Sequence, residues 1–538
     1  MKKIILIIVF FKAISVSAQQ DAWVYFNAKP NSAAFFANPT SELSQRSLDR
    51  RSAQNIALDF KDAPIQQAFI DQISSSIGIT VMAKSKWINA LHIRGSIDSI
   101  NALTTLSFVT KVQFADYSLN QNNNKIDFQS IMVQSNKNLN TTVNFNYGSS
   151  TNQITMLNGH VLHQQNFTGQ GKIIAVLDAG FPTVNTTQPF ARLRDNNKIL
   201  GGYNYVARNT NFYTDNAHGT SVLSTMGGYT ENQLVGTAPD ASYYLYVTEA
   251  AATENPIEES LWVEAAEQAD RVGADIINSS LGYFEYDNPS YSHTYSRMNG
   301  TTTFISRGAN IAFTRGMVVV ISAGNSGNTA NPYIAAPADA INVLTVGAVD
   351  ATKNYVSSSS RGPSFDGRIK PDVMAKGLFA TVATLSGTIG TSSGTSYSSP
   401  IVAGLVACLW QALPTKTAIE IVQIIKQSAD NFATPNAYYG YGIPDFAAAV
   451  TSNLTVINSD LTKCSVYPNP ATSSIIFSLT DSLKNATLNI FNNLGQNILQ
   501  KQCSTTTPTI NLENLSSGIY FYTISNNVDH YKGKFLKY

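Results

Sequence analysis

Cysteine is scarce in this 538-residue sequence, which contains only Cys408, Cys464 and Cys503. Three scattered thiols are too few for a disulfide framework, and no set of cysteine and histidine residues has the spacing of zinc ligands. The sequence therefore predicts no metal centre. Cys408 lies in an apolar run, which predicts a buried, inert thiol. Whether Cys464 and Cys503 form a disulfide stays open, because spacing along the chain does not determine their geometry.

Charge is also sparse, since 13% of the residues are charged and the formal net charge is +1. A nucleic-acid-binding protein or a protein held on a membrane by basic residues would carry a positive excess, so neither class is favoured. Hydrophobic residues make up 43% of the chain, which is enough for packed cores and argues against wholesale disorder. The length predicts about three domains.

One apolar run has the form of a targeting segment, and it stands at the N-terminus. Lys2 and Lys3 precede the apolar stretch 4–11, and small residues follow up to Ala18. We interpret residues 1–18 as a secretory signal peptide cut after Ala18, because the stretch is too short to anchor the chain in a bilayer. No later run is long enough to span a membrane, so we expect an exported protein without a transmembrane segment.

Residues 19–116 alternate short strand-like stretches with helical patterns, which predicts a small α+β domain. The predicted strands are 22–26, 77–82, 87–93 and 108–114, and the predicted helices are 41–51 and 64–73. Residues 117–143 are rich in Asn and Gln, which predicts an exposed linker. A folded module followed by a loose segment and a larger domain is typical of a zymogen. The alternative is a plain accessory domain.

From residue 144 to residue 452, near-continuous apolar strands alternate with helices, which predicts a parallel sheet covered on both faces. The predicted strands are 172–177, 243–247, 274–278, 317–321 and 341–346. Apolar residues between Ile257 and Val272 recur at helical spacing and predict one of the covering helices. Functional groups on such sheets lie at the carboxyl ends of the strands.

Two candidate catalytic residues lie in the first half of this region. Asp178 directly follows the predicted strand 172–177, where a partly buried carboxylate could hold an imidazole in one tautomer. His218 has Gly219 beside it, which leaves room next to the ring. Each residue alone also fits an ordinary role, Asp178 as a turn residue and His218 as a surface histidine.

The second half supplies a candidate nucleophile and candidate groups for binding a developing charge. Ser396 lies in the segment 394–400, Gly-Thr-Ser-Tyr-Ser-Ser-Pro, with the proline expected in a helix's first turn and the serine at its positive end. Asn325 follows the strongest apolar strand and offers a neutral amide donor, which an oxyanion requires. Ser280-Leu281-Gly282 follows another strand and could present backbone groups to an extended peptide. Turn roles are the alternative for both.

Taken together, the candidates stand in the chain order of the subtilisin-like serine peptidases, namely Asp178, His218, Asn325 and Ser396. The short segments around them resemble that family's motif blocks, as does Lys-Pro-Asp-Val at 370–373. The resemblance extends over roughly residues 154–450. It implies a subtilisin-like parallel sheet flanked by helices.

The resemblance also implies a role for each residue. His218 would take the proton of Ser396 as the serine oxygen attacks a peptide carbonyl, and Asp178 would orient the imidazole. The Asn325 amide and the Ser396 N–H would receive the oxyanion, and Ser280-Leu281-Gly282 would bind substrate. No cofactor is required for this chemistry. Structural calcium agrees with the family, but no acidic loop has a recognisable ligand pattern.

Two positions depart from the family pattern. Ala179 stands where the family usually has Ser or Thr after its Asp, and Tyr397 stands where it often has Met after its Ser. Ala179 lacks a hydroxyl that could help to hold the carboxylate, which would lower activity. Neither change removes a reacting atom, so an active enzyme is still expected. Residues 19–116 resemble subtilase propeptides, which would assist folding and inhibit the enzyme until self-cleavage between residues 117 and 153.

Residues 464–538 return to short alternating strands, which predicts a small β-sandwich. The predicted strands are 466–470, 475–479, 487–491, 509–512, 518–524 and 531–538. The segment Val-Tyr-Pro-Asn-Pro at 466–470 and the segment 515–520 resemble the sorting domain of proteins exported by the Bacteroidetes type IX system. That implies a Gram-negative bacterium, the type IX machinery as partner, and a secreted or cell-surface protein. A carbohydrate- or cell-binding module is the alternative.

These observations predict a secreted serine endopeptidase that acts on protein or peptide substrates and has its own propeptide as an intramolecular inhibitor. The first alternative is a surface binding protein on a catalytically silent subtilase scaffold. An esterase or lipase is disfavoured, because residues 394–398 lack the second glycine of a nucleophile elbow and the chain lacks the order Ser, Asp, His.

Overall fold

The computed structural model describes residues 19–120, 144–454, 464–492, 496–526 and 530–538. The predicted signal peptide and residues 121–143 of the predicted linker lie outside these ranges. The chain divides into two compact units, Met1–Leu454 and Thr455–Tyr538. Among the described residues, no helix has both the length and the apolar character that crossing a bilayer requires.

The first unit begins with an α+β domain, as predicted. Its strands pair antiparallel in the order β2-β3-β1-β4, with β1 Gln20–Phe26, β2 Ile79–Ser85, β3 Ala90–Gly95 and β4 Val109–Phe114. Its helices are α1 Ser32–Ala37, α2 Gln45–Ala53, α3 Gln67–Ser74 and α4 Ile97–Ala102. Residues on a strand alternate between two faces. Val24 therefore packs in this domain's own core, whereas Trp23 and Tyr25 pack in the core of the following domain.

The following domain contains nine helices within the described residues. They are α5 Thr151–Thr155, α6 Gly159–Gln164, α7 Ala191–Asp195, α8 His218–Gly227, α9 Ile257–Val272, α10 Phe304–Thr314, α11 Thr395–Ala412, α12 Ala418–Gln427 and α13 Phe446–Leu454. Gly273 caps the C-terminal end of helix α9 and takes a left-handed conformation that suits glycine. Helix α12 begins with a capping box between Thr417 and Glu420.

The centre of this domain is a seven-stranded parallel sheet, which confirms the predicted fold class. Its order is β13-β12-β11-β10-β5-β9-β6, with β5 Ile173–Asp178, β6 Ile199–Asn204, β9 Ser242–Val247, β10 Ile276–Ser279, β11 Val318–Ser322, β12 Leu344–Val349 and β13 Val373–Lys376. Two hairpins, β7 Tyr229–Thr230 with β8 Leu234–Val235 and β14 Ala380–Ala383 with β15 Ile389–Ser392, lie outside it.

The strand order explains where a site can form. The chain starts the sheet at β5, continues on one side with β6 and β9, and then crosses to β10 on the other side of β5. This reversal opens a crevice at the carboxyl ends of β5 and β10. The five predicted strands are present. The two edge strands of this sheet were not predicted, because β6 contains Gly201 and Gly202 and β13 has just four residues.

Helices cover both faces of the sheet. Helix α11 packs along β10 to β13 and against α8, whereas α9 and α10 pack against each other. Nearly every residue of α11 is buried, which explains why its sequence from Ile401 to Trp410 is apolar on all sides rather than on one stripe. The carboxyl ends of β5 and β10 therefore meet the beginnings of α8 and α11.

The N-terminal domain docks on helix α9 through buried polar contacts. Trp23 Nε1 donates to Ser260 Oγ at 2.8 Å, and Ser85 Oγ donates to the Glu267 carboxylate at 2.6 Å. Arg51 lies 2.6 Å from Asp270, with both side chains almost fully buried. Tyr117–Leu119, at the start of the predicted linker, forms a 3₁₀ turn, and Arg297 stacks on the Tyr117 ring.

The second unit consists of two antiparallel sheets around one core, in agreement with the predicted small β-sandwich. Strands β16 Cys464–Tyr467, β17 Ser474–Leu479 and β20 Thr509–Asn511 form one sheet, and β18 Thr487–Phe491, β19 Asn497–Gln502, β21 Gly518–Ser525 and β22 His530–Lys537 form the other. Strand β19, which is largely exposed and polar, was not predicted from the sequence. Cys464 and Cys503 are buried in the core as free thiols, and Cys408 is a buried free thiol of the first unit, as predicted.

Candidate active site

Asp178 and His218 are in direct contact. Asp178 is the last residue of β5 and is fully buried, and His218 is the first residue of α8. The Oδ1 atom of Asp178 lies 2.7 Å from His218 Nδ1 and accepts a hydrogen bond from Ala179 N at 2.8 Å. This contact requires the Nδ1–H tautomer, which leaves Nε2 free to accept a proton.

The electrostatic environment of His218 follows from this contact. Burial disfavours the charged ring, but the nearby carboxylate of Asp178 outweighs it, so the pKa of His218 lies above its ordinary value. Tyr397, one of the two departures from the family pattern, packs beside the imidazole with the ring centroids 6.1 Å apart. The environment therefore stabilises an imidazolium.

The Oδ2 atom of Asp178 is buried and has no hydrogen-bond partner within the described residues. Ala179 follows Asp178 and carries no polar side-chain atom that could serve as one. A buried carboxylate oxygen without a donor is unfavourable. The departure noted in the sequence therefore has a visible structural counterpart.

Ser396 is the second residue of α11, at the positive end of the helix as predicted. The placement of Pro400 in the first turn was wrong, because it lies at the sixth helical position. Proline has no backbone N–H and therefore cannot donate the helical hydrogen bond to the carbonyl oxygen four residues earlier, which here belongs to Ser396. Ser280 Oγ donates to this carbonyl oxygen at 2.8 Å and replaces the missing donor.

The hydroxyl of Ser396 is not yet engaged with His218. Ser396 Oγ lies 3.5 Å from the Ser280 carbonyl oxygen, a long contact, and within the described residues neither it nor His218 Nε2 makes another hydrogen bond. Catalytic hydrogen bonds are often loose before substrate binds. The Ser396 residue and the Asp178–His218 pair are thus brought to the same crevice, without a hydrogen bond between them.

Asn325 lies beside the start of α11. Its Oδ1 accepts hydrogen bonds from the N–H and the hydroxyl of Thr395, at 2.9 and 3.2 Å. Because two donors meet Oδ1, the amide orientation is determined. Its Nδ2 group makes no hydrogen bond within the part of the chain that the structure describes. It is a neutral donor already held in place, next to the N–H of Ser396, which also has no intrahelical partner.

Ser280-Leu281-Gly282 continues from the carboxyl end of β10. Within the described residues, the backbone groups of Leu281 and Gly282 have no hydrogen-bond partner, and the next residue, Tyr283, pairs with Ala336 through N–H···O at 2.7 Å. Free backbone donors and acceptors in an extended segment are what a peptide strand needs for pairing.

An acidic cluster that the sequence did not predict lies close to the site. Carboxylate oxygens of Glu249, Glu254 and Glu258 lie within 4.8 Å of one another. Glu249 is the second residue after β9, the strand that pairs with β5. Burial raises the pKa of the Glu258 carboxyl to about 8. The three residues are spread over ten positions of loop and helix, which no ligand spacing rule recognises. The only signal in the sequence was the pair Glu258 and Glu259 at the start of α9.

A parallel sheet with a carboxylate, an imidazole and a helix-start serine at the ends of its central strands is the arrangement of an α/β serine hydrolase. A family model described as the Subtilase family matches residues 169–442, and the chain belongs to that family.

Curated relatives agree with this assignment. Subtilisin DY of Bacillus licheniformis is 30% identical over 298 residues, which are 55% of this chain and 97% of the relative. Subtilisin E of Bacillus subtilis is 29% identical over 299 residues, which are 55% of this chain and 70% of the relative. The alkaline protease of Alkalihalobacillus alcalophilus is 29% identical over 297 residues, 55% of this chain and 68% of the relative. The protein is a serine endopeptidase.

The two flanking regions match family models of their own. Residues 21–130 match the Peptidase S8 propeptide domain of Bacteroidota, and residues 465–538 match the secretion system C-terminal sorting domain. The protein is therefore a secreted or cell-surface peptidase that carries a propeptide and a type IX sorting domain. These matches favour the propeptide over an accessory domain, and the sorting domain over a binding module.

Proposed function

We propose that the protein hydrolyses peptide bonds through Asp178, His218 and Ser396, by way of an acyl-enzyme, and that it matures by cleaving its own precursor. The single observation that carries this proposal is the 2.7 Å contact between His218 Nδ1 and the buried Asp178 carboxylate, in the crevice where α11 presents Ser396. The contact prepares His218 Nε2 to accept a proton.

The proposed reaction begins when the Ser396 hydroxyl turns from the Ser280 carbonyl oxygen towards His218. His218 Nε2 takes the hydroxyl proton as Oγ bonds to the substrate carbonyl carbon, and Asp178 stabilises the imidazolium. The Asn325 amide and the Ser396 N–H donate to the resulting oxyanion. The imidazolium then gives its proton to the leaving amine, and water releases the acyl group by the same steps. The proposal contains no cofactor, and structural calcium stays a prediction.

The proposed substrate is an extended peptide that pairs with the backbone of Leu281 and Gly282. Free backbone groups there support this assignment. The propeptide is the proposed intramolecular inhibitor, and its buried contacts with α9 support a stable zymogen. We propose residues 19–116, 144–452 and 464–538 as the three domains, with the self-cleavage site between residues 117 and 153.

A fluorophosphonate probe tests the central claim, because it reacts only with an activated serine. Matured protein should be labelled at Ser396, and His218→Ala should abolish the labelling. Thr395→Ser serves as a matched control at the neighbouring position and should be labelled normally. Unlabelled, folded wild-type protein would falsify the proposal and would favour a binding protein on a silent scaffold.

Self-processing needs a separate experiment. Purified Ser396→Ala precursor should keep its propeptide on prolonged incubation, whereas the wild-type precursor should lose it. Adding a trace of mature wild-type enzyme distinguishes cleavage within one molecule from cleavage between molecules. If the isolated Ser396→Ala precursor matures at the wild-type rate, another peptidase performs the processing.

A further inference from the structure

A tyrosine-lined cavity lies at the edge of the parallel sheet, between β6, β9 and helix α9. Its volume is about 320 Å³, and its lining residues are Gly202, Tyr203, Tyr205, Tyr244, Tyr246 and Gln268. None of them belongs to the candidate active site or to the propeptide. The cavity is therefore built entirely by the mature peptidase domain.

The backbone of β6 creates the opening. The pairing of β6 with β9 shifts register between Ile199 and Gly201, and Gly201 then stands opposite Tyr244. A Cβ atom at Gly201 would come within 3.8 Å of the Tyr244 ring, so the glycine leaves this ring uncovered. Tyr244 and Tyr246 share one face of β9, with parallel rings whose centroids are 6.1 Å apart.

The polar groups of the lining have no partners. Within the described residues, the four phenol hydroxyls and the Gln268 amide make no hydrogen bond. The case of Tyr246 is the clearest, because its side chain is 2% exposed and its hydroxyl is buried without a partner. Buried hydroxyls are normally paired with protein, water or a ligand. Among these four hydroxyls, that of Tyr246 alone is buried, whereas those of Tyr203, Tyr205 and Tyr244 are accessible to solvent and could pair with a polar ligand.

The lining chemistry narrows the class of ligand. No lining residue is charged. The ionic groups that act on Tyr205 have partners of their own, since Arg208 lies 2.6 Å from Glu264 and the Glu267 carboxylate accepts a hydrogen bond from Ser85 Oγ. A ligand with a net charge would find no counter-charge. Aromatic rings offer flat apolar faces, and phenols and an amide offer hydrogen-bond donors and acceptors. A neutral ring with apolar C–H faces and several hydroxyls satisfies both features.

We propose that this cavity binds a sugar residue and serves as a saccharide subsite outside the catalytic crevice. The ring of the sugar packs on Tyr244, and its hydroxyls pair with Tyr203 and Gln268, whose polar atoms are accessible to solvent. The volume lies at the lower end of small-molecule pockets, which suits a single sugar ring. Such a subsite would hold the peptidase near glycosylated substrates or near a cell-surface polysaccharide.

The test titrates full-length Ser396→Ala protein with neutral monosaccharides, including glucose, galactose, mannose and N-acetylglucosamine, by calorimetry. At least one sugar should bind saturably. Tyr244→Ala should weaken its binding about tenfold or more, and Tyr203→Phe, which removes only a hydroxyl, should weaken it less. The matched control is Tyr333→Ala, which removes a tyrosine stacked on Tyr295 at 3.9 Å elsewhere, and should leave binding unchanged.

Three results would overturn the proposal. The first is that no sugar binds saturably up to about 100 mM, a concentration well above a millimolar Kd. The second is that Tyr244→Ala binds the sugar as tightly as the protein with Tyr244. The third is that tetramethylammonium binds more tightly than every sugar, which would indicate a site for cations. Peptidase activity on a short unglycosylated peptide, measured with Ser396 intact, should be the same in all three variants. Tighter binding of a polysaccharide than of a glycopeptide assigns the ligand to the cell surface, and the reverse order assigns it to substrates.

Discussion

Ser280 Oγ donates a hydrogen bond to the carbonyl oxygen of Ser396 at 2.8 Å, in the place of the backbone N–H that Pro400 lacks. The Ser280 side chain, which follows β10, thus supplies a missing hydrogen bond in the first turns of α11, the helix that carries the candidate nucleophile Ser396. Ser280 is for this reason a positioning residue as well as part of the candidate substrate-binding segment.

Ser280→Ala should destabilise the fold by about 1–3 kcal/mol, because the buried Ser396 carbonyl loses its donor. Pro400→Ala restores a backbone N–H at the correct helical position. The cost of Ser280→Ala should therefore be smaller in the Pro400→Ala background, as a double-mutant cycle of unfolding free energies would show. Strictly additive effects would mean that the Ser280 hydroxyl does not substitute for the missing N–H.

Asn325→Ala should lower kcat by about 10²- to 10³-fold with little change in KM, because the amide would act on the transition state. That range is the one measured for the oxyanion asparagine of a subtilisin. The control is Asn331→Ala, which removes an exposed amide from the same loop region and should leave kcat unchanged. Single-turnover kinetics on a peptide ester would separate the acylation step. An equal loss in both variants would contradict the oxyanion role.

The acid limb of kcat/KM should have its midpoint above pH 6.5, because the proposed mechanism needs neutral His218 and the Asp178 carboxylate raises the pKa of that ring. The same shift stabilises the folded chain below the unfolded-state pKa, and this contribution is lost as the pH rises through the folded-state pKa. Asp178→Asn removes the carboxylate charge but not the burial. Its acid limb should move to lower pH, and kcat should fall about 10⁴-fold. An unmoved acid limb would mean that another group titrates.

Ala179→Ser should stabilise the protein by about 1 kcal/mol or more, because the new hydroxyl can donate to the Oδ2 atom of Asp178, which lacks a partner in the part of the chain that the structure describes. Turnover should rise or stay equal. Ala179→Val adds volume without a donor and should not stabilise. Thermal unfolding of the two variants in parallel tests the idea, and equal destabilisation by both would show that the space, rather than the donor, is limiting.

Asp270→Asn should loosen the docked propeptide. Asp270 is fully buried and meets the guanidinium groups of Arg50 and Arg51, so its neutralisation leaves buried charges without a counter-charge. Breaking a buried pair in this way costs about 3–5 kcal/mol. Denaturant unfolding of the Ser396→Ala precursor measures the loss.

Asp240→Asn is the matched control for that experiment. Its partner Arg192 lies at 2.7 Å, but both side chains are partly exposed. Solvent screening limits such a pair to about 0–1 kcal/mol. Equal losses in the two variants would show that burial of the charges at the propeptide contact has no energetic consequence.

Much of the molecule could be predicted from local patterns. Apolar strands such as 317–321, and the apolar part of α11, could be predicted because a segment buried on all sides has a continuous apolar sequence. The edge strand β6 could not be predicted, because its glycines have no side chains that would form an apolar pattern. The acidic cluster of Glu249, Glu254 and Glu258 could not be predicted either, since three side chains converge there through a loop and a helix rather than through a fixed spacing.

The sequence by itself determined the family, the order of propeptide, peptidase and sorting domains, and the residue types available for catalysis, because motifs and periodicity are local properties of a chain. Only the tertiary structure decided which atoms meet. It placed Asp178 against His218, left the Oδ2 atom of Asp178 without a hydrogen bond among the described residues, and made Ser280 the donor for a carbonyl that Pro400 leaves free. Ser280 and Ser396, for example, are more than one hundred positions apart in the chain. Local patterns do not reveal such a contact, because hydrogen bonding depends on distance in space rather than along the chain.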